Sequence, residues 1–267
     1  MNATVDLEKV ARLTADVLAE LRDGGMDVGM DVGAAAPPGA AETATHTGTD
    51  SSTGIARGLA RKATLRPDEM GVSPTGKPTL TCNISNRHIH VTQEALEKLY
   101  GPGAELKVRN ELMQPGQFAS EQTLSLIAGR GRAIENVRIL GPCRKITQVE
   151  ISRTDGFYLG IRPPVRLSGD VAGSAGGTLV GPYGTLVLEE GIIVADRHIH
   201  TPPQVAEQLG VQNNQFVRVR VFHSDKPALL ERVRIRVNEE FLLEMHLDND
   251  DANACGIESG DRLELVL

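Results

Sequence analysis

Between residues 3 and 22 the apolar side chains Val5, Val10, Leu13, Val17, Leu18 and Leu21 fall at helical spacing, with Glu8, Lys9, Arg12, Asp16, Glu20 and Arg22 mostly between them. This pattern predicts one amphipathic helix over 1–22, stopped by Gly24-Gly25. From residue 23 to 78 the chain turns to Gly, Ala, Thr, Ser, Asp and Pro and offers little to bury, which predicts a flexible, disordered linker. Beyond it short β-rich runs broken by Gly and Pro cover 80–85, 105–108, 123–127, 137–140, 148–152, 165–168, 185–188, 191–195, 216–222, 233–237, 241–246 and 263–267. Many short strands at such spacing predict a mainly β fold of barrels or sandwiches.

A helix meant to dock on its own domain seldom needs so long a tether, and alone in water a helix of this length is marginal. Its apolar stripe therefore predicts an intermolecular helix-in-groove role, and exposure of that stripe predicts self-association into a homo-oligomer.

One string occurs twice in the β-rich region: Asn86-Arg87-His88-Ile89-His90 and Asp196-Arg197-His198-Ile199-His200. Four of the seven histidines sit in these two copies. On a strand, residues i and i+2 share a face, so each copy aims two imidazoles at one point, and two neutral imidazoles make half of a transition-metal site. Each copy is followed by a helix signal. Thr92 caps 93–100 ahead of Gly101, and Thr201 caps a helix with Pro202 at its first position and Gly210 at its end. The repeat of strand, His-x-His, cap, helix and Gly predicts two related β-barrel modules.

A zinc site needs a third or fourth ligand. His246, ahead of the acidic helix start Asp248–Asp251, is one candidate, and Glu150, on a face with Ile146 and Gln148, is another. An ordinary solvent-facing glutamate on an alternating strand explains Glu150 equally well. His46 lies in the linker and His223 just after a strand, and neither points to ligation. Arg130, Arg132, Arg138, Arg144 and Lys145 crowd one stretch with Glu135 as the sole opposing charge, a surplus able to hold phosphate groups or to form a solvated strand edge.

Composition narrows the partners. The formal net charge is −7, which argues against nucleic acid and anionic membranes. The three cysteines are widely spaced and form no Cys-x-x-Cys, so they read as reduced thiols. No apolar run approaches the ~20 residues that span a bilayer, and a soluble cytoplasmic protein is expected. Aromatics make up 3 % of the chain, with no Trp, so the cores must be built from Val, Ile and Leu.

The strings 85–90, 114–119, 135–142, 148–155, 197–200, 245–248 and 253–254 together resemble the PduL-type phosphotransacylases, or phosphate propanoyltransferases, of bacterial microcompartments. The resemblance runs from about residue 79 to the C-terminus and covers none of the linker. It implies reversible conversion of acyl-CoA and phosphate to acyl phosphate and CoA, for acetyl or propanoyl groups, on two small β-barrels with short capping helices. It further implies two zinc ions, one held by His88, His90 and Glu150 and the other by His198, His200 and His246. Arg144 would bind phosphate, and coenzyme A would touch Ile84, Ser85, Asn86, Arg138 and Asn253, with a basic residue of the Arg130 turn replacing the family's lysine. In the family the first strand and the C-terminal segment share a barrel, so 79–86 with 196–267 and 87–195 are the expected domains. Residues 1–22 would be an encapsulation peptide that docks on shell proteins and sends the enzyme into the compartment lumen.

Phosphate is already a competent nucleophile, so an arginine need only neutralise and orient it, and no acyl-enzyme is required. Cys143, with no histidine beside it in sequence, ranks below direct transfer as an acyl carrier. An (α/β)-barrel metallohydrolase would need regularly alternating long helices. A cupin would need Glu94 on a strand, and a zinc scaffold without catalysis would need closed four-ligand sites.

Overall fold

Alternation of buried and exposed residues fixes the strands of the computed structural model, which describes residues 70–267. In Phe216–Val221 (β12), for example, Val217, Val219 and Val221 are buried while Phe216, Arg218 and Arg220 face out, the period of a strand with one face on a core. The described residues form fifteen strands and four short helices. The strands are β1 (Gly71–Val72), β2 (Pro78–Ser85), β3 (His88–His90), β4 (Val108–Glu111), β5 (Phe118–Ala128), β6 (Arg132–Gly141), β7 (Gln148–Glu150), β8 (Val165–Arg166), β9 (Ala175–Val180), β10 (Thr185–Ala195), β11 (His198–Thr201), β12, β13 (Ala228–Val237), β14 (Glu244–Asp248) and β15 (Arg262–Val266). The helices are α1 (Gln93–Tyr100), α2 (Arg153–Leu159), α3 (Pro203–Leu209) and α4 (Asn249–Cys255).

The strands close into two six-stranded barrels. In barrel one β2, β14, β11, β13, β12 and β15 follow one another and β15 pairs back onto β2, with β1 added at the edge. In barrel two the circuit is β5, β6, β3, β7, β10 and β9, with β9 pairing β5 to close it, and β4 and β8 flank it. Closure leaves few open edges for unwanted pairing. Each barrel holds its own aliphatic core, Leu80, Ile199, Val219, Val233, Ile235 and Leu263 in one and Ile89, Leu124, Leu126, Ile139, Leu179 and Ile192 in the other. The isoleucine of each His-Ile-His is thus a core residue, Ile89 and Ile199 being buried. Burial of such a side chain contributes about 1.5–3 kcal/mol and fixes which way the flanking histidines point.

The helix expected over 1–22, the linker expected up to residue 69 and His46 lie outside the described residues. The last part of that linker is not irregular, because β1 pairs antiparallel with the start of β2. Glu264 anchors the intervening turn by accepting hydrogen bonds from Ser73 at 2.7 Å and from Thr75. The strand expected at 105–108 lies instead at 108–111, since the Gln122 side chain takes the Lys107 N–H and the Glu105 carbonyl. The runs 185–188 and 191–195 join into one strand with a register shift between Leu188 and Ile192. The run at 241–246 pairs only from Glu244, because Phe241 closes a turn on the Asn238 carbonyl. Thr92 caps α1 as expected, but Thr201 does not cap α3. Its backbone pairs with Val237, which extends β11, and Pro202 takes the cap position with Pro203 first in the helix.

A cleft where two ligand clusters meet

Each His-x-His strand sits between two partners in the same arrangement. In barrel two β3 pairs antiparallel with β7 and parallel with β6, setting His88 opposite Glu150 on one side and Arg138 on the other, and His90 opposite Gln148. In barrel one β11 pairs antiparallel with β14 and parallel with β13, setting His198 opposite His246 and Arg234, and His200 opposite Glu244 and Arg236. Two groups of donor atoms result, His88, His90 and Glu150 in one and His198, His200 and His246 in the other. Within each group the donor atoms lie within 4.8 Å of one another.

Backbone carbonyls select the tautomers. His88 Nδ1 lies 2.8 Å from the Asn86 carbonyl, and His198 Nδ1 lies 2.7 Å from the Asp196 carbonyl, the same offset in both copies. A carbonyl only accepts, so each Nδ1 carries the proton and each Nε2 keeps its lone pair for a cation. His90 Nδ1 faces the Leu140 carbonyl at 3.4 Å. Burial, reinforced by His88 and Arg144, holds the His90 ring well below the ordinary imidazole value. Burial with His246 does the same for His198 and His200. Neutral rings at pH 7 are what ligation requires. His200 Nδ1 is buried without a hydrogen-bond partner, and His246 Nε2 faces the Glu244 carboxylate at 3.1 Å. His198 and His200 also bring their Nε2 atoms to 3.1 Å. The donor set therefore fits a zinc-like cation at each cluster.

Both clusters line one cleft of about 650 Å³. Ile84, Ser85, Asn86, Arg138 and Arg144 line it too, whereas Arg130 and Asn253 do not. Arg130 is exposed in the turn after β5, and Asn253 is exposed on α4, its carbonyl accepting from Lys226 at 3.3 Å. Arg144 donates to Ser168 at 3.1 Å and to Gln117 at 3.4 Å. Gln148 donates to Glu150 Oε1 at 2.7 Å and to Ser168 at 2.6 Å, so the carboxylate of one cluster and the arginine share a support. Glu150 Oε2 is left 3.5 Å from His88 Nε2. Cys143 is outside the cleft wall, and burial raises its thiol above the ordinary value, which removes thiolate character at neutral pH. Glu94 lies in the first turn of α1 and not on a strand.

The residues that sequence reasoning missed are held by contacts distant along the chain. Glu244, fully buried, accepts from Gln114 at 2.7 Å and from Asn83, and lies 3.1 Å from His246 Nε2. Burial raises its carboxyl pKa, but the His246 ring, Gln114 and Asn83 outweigh burial and bring it below the ordinary value. Its position two residues before His246 on one strand face was the available signal. Arg236 carried a similar one, the alternation Arg232, Arg234, Arg236. Ser168 carried none.

The sequence pattern of the phosphate propanoyltransferase family matches residues 81–258. The phosphate propanoyltransferase of Thermotoga maritima is 50 % identical over 190 residues, covering 71 % of this chain and 90 % of that protein. That of Shewanella putrefaciens is 47 % identical over 189 residues, covering 71 % and 89 %. That of Salmonella typhimurium is 43 % identical over 192 residues, covering 72 % and 88 %. With its two barrels, its duplicated histidine strands and this similarity through nearly the whole described region, the chain belongs to the phosphate propanoyltransferase family.

Proposed function

We propose that the protein is a zinc-dependent phosphotransacylase that interconverts acyl-CoA and phosphate with acyl phosphate and CoA, for short acyl groups such as acetyl or propanoyl. The observation that carries the reading is the convergence of two three-ligand clusters and Arg144 on one cleft. His88, His90 and Glu150 would hold one zinc, and His198, His200 and His246 the other. Three protein ligands in each case suit an open, catalytic coordination position better than a closed scaffold site. When bound, zinc supplies Lewis-acid polarisation of the thioester carbonyl and stabilisation of the departing thiolate.

The chain's own residues do the positioning. Arg144, steadied by Ser168 and Gln117, would neutralise and orient phosphate so that one oxygen attacks the acyl carbon. As the C–O bond forms the C–S bond breaks, and CoA leaves as its thiolate. Ile84, Ser85, Asn86 and Arg138 on the cleft wall would contact CoA near the reacting end, with Asn253 and Arg130 serving outside it. Glu150, gripped by Gln148, keeps a carboxylate oxygen directed at the first cluster.

Residues 1–22 would act as an encapsulation peptide that binds microcompartment shell proteins and carries a homo-oligomeric enzyme into the lumen. The helical spacing of its apolar residues and the family resemblance support this part. The domain division 79–86 with 196–267 and 87–195 is proposed on the same resemblance, and the strand pairing of the two barrels supports it.

Phosphate-dependent release of thiol from propanoyl-CoA and acetyl-CoA, followed with metal analysis before and after chelation, tests the reading. About two zinc per chain is expected, with activity lost on chelation and restored by zinc. Absence of phosphate-dependent release from the zinc-loaded protein would sink it.

A further inference from the structure

Among the cations of the cleft, one is unaccounted for. Arg87 is paired with Asp155 at 3.0 Å, and Arg138 donates to the Ser120 and Glu121 carbonyls at 3.0 and 2.8 Å. Arg144 has only the neutral partners Ser168 and Gln117. Arg236, half-buried on β13 beside His200, has no hydrogen bond or ion pair among the described residues. Its guanidinium lies 5.6 Å from the centre of the Phe241 ring, which itself stacks on His200 at 3.9 Å. A half-buried guanidinium retains five donors and loses solvation, so it seeks an anion.

We propose that Arg236 is a second phosphate-binding residue, supplied by barrel one to the site in which barrel two supplies Arg144. Both arginines line the same cleft, and each lies within electrostatic range of Glu150, while Arg236 is also felt by Arg144. Repulsion between two unpaired guanidiniums is relieved by a dianion that both can contact, and planar forks match phosphate oxygens in pairs. Glu150 does not neutralise them by contact, being hydrogen-bonded to Gln148 and directed at His88. Holding phosphate from both barrels would make productive binding depend on their juxtaposition.

The inference rests on the phosphotransacylase reading, and the experiment separates the two. Full-length wild type, Arg236→Ala and Arg236→Lys are compared by saturation kinetics for phosphate and for propanoyl-CoA, by zinc content, and by phosphate titration without acyl-CoA. Arg236→Ala should raise the phosphate KM and weaken phosphate binding about tenfold or more, with the propanoyl-CoA KM and zinc content little changed. Arg236→Lys should recover part of the loss. Unchanged phosphate binding in a zinc-loaded Arg236→Ala protein would overturn the inference. So would a loss confined to the propanoyl-CoA KM, which would mark the residue as a contact of the CoA phosphates. If Arg236→Ala fails to fold, Arg236→Lys and Arg236→Gln give the same comparison. Failure of the wild type to turn over would count against the functional reading, while the phosphate titration would still decide Arg236.

Discussion

A histidine serves a cation only when one ring nitrogen is committed as donor and the other is left as acceptor, and here the chain makes that choice with its backbone. Asn86 and Asp196 each accept the Nδ1 proton of the histidine two residues on, so the tautomer is written into the local geometry of the repeated string. Glu150 depends on a side chain instead, with Gln148 holding one oxygen. Glu150→Ala removes the sole carboxylate of the first cluster and leaves two imidazoles, which hold zinc poorly. Bound zinc should fall from about two toward about one per chain and acyl transfer should be abolished. Metal analysis beside the thiol-release assay checks this, and full activity with undiminished zinc would remove Glu150 from the site. The paired histidines were legible because a scarce residue recurred at strand spacing. Glu150 was not legible from spacing alone, since alternation looks the same whether a strand face meets water or another barrel. Ser168 owes its place to contacts with Arg144 and Gln148, distant along the chain, which no local pattern encodes, whereas Glu244 and Arg236 carried only the alternation of their strands.

Between residue and barrel lies a strand–helix unit that recurs with its hydrogen bonds. Two residues after the third ligand comes a helix cap, Ser152 after Glu150 and Asp248 after His246. Five residues after it stands an acid that pairs with the arginine preceding the histidines, Asp155 with Arg87 at 3.0 Å and Asp251 with Arg197 at 3.6 Å. Each arginine thus ties the strand carrying two ligands to the helix that follows the third. Asp155 also completes the capping box of α2 by accepting the Ser152 N–H at 3.2 Å. Asp155→Ala should therefore destabilise the protein by about 1–2 kcal/mol and weaken zinc retention at the first cluster more than at the second. Chemical denaturation and chelator competition measure the two effects, and equal loss from both clusters would count against the tie. The helix α2 escaped the sequence reading because it is short and contains Gly156, although Ser152-x-x-Asp155 was a visible cap signal. Strand β9 escaped for another reason. Its glycines suggest a loop, yet a Cβ on Gly176 would meet the Glu189 carbonyl at 2.5 Å, so the close approach of β9 to β10 excludes the side chains that mark strands.

At the scale of the molecule, the cleft is made by two barrels that need one another. Gln114 from barrel two donates to Glu244 and accepts the Leu242 N–H of barrel one, and the Thr154 N–H at the start of α2 reaches Asp250 at the start of α4. The sequence showed that two related modules exist, but their shared cleft could not be read from it, because these contacts join residues 96 to 130 positions apart. The family match begins at residue 81, and all residues that line the cleft come after it. Nothing in the proposed chemistry therefore draws on residues 1–22. If residues 23–69 behave as the flexible tether their composition predicts, their root-mean-square reach would be roughly 40 Å, enough for the proposed encapsulation helix to engage a shell face without constraining the barrels. Deleting residues 1–22 should leave phosphate-dependent thiol release nearly unchanged, make the protein more soluble and less oligomeric, and abolish its co-purification with shells. Specific activity, light scattering and shell pull-down measure these separately. A truncated enzyme still packaged with shells would place the docking determinant on the barrels, and one that lost catalysis would make the N-terminal helix part of the catalytic body.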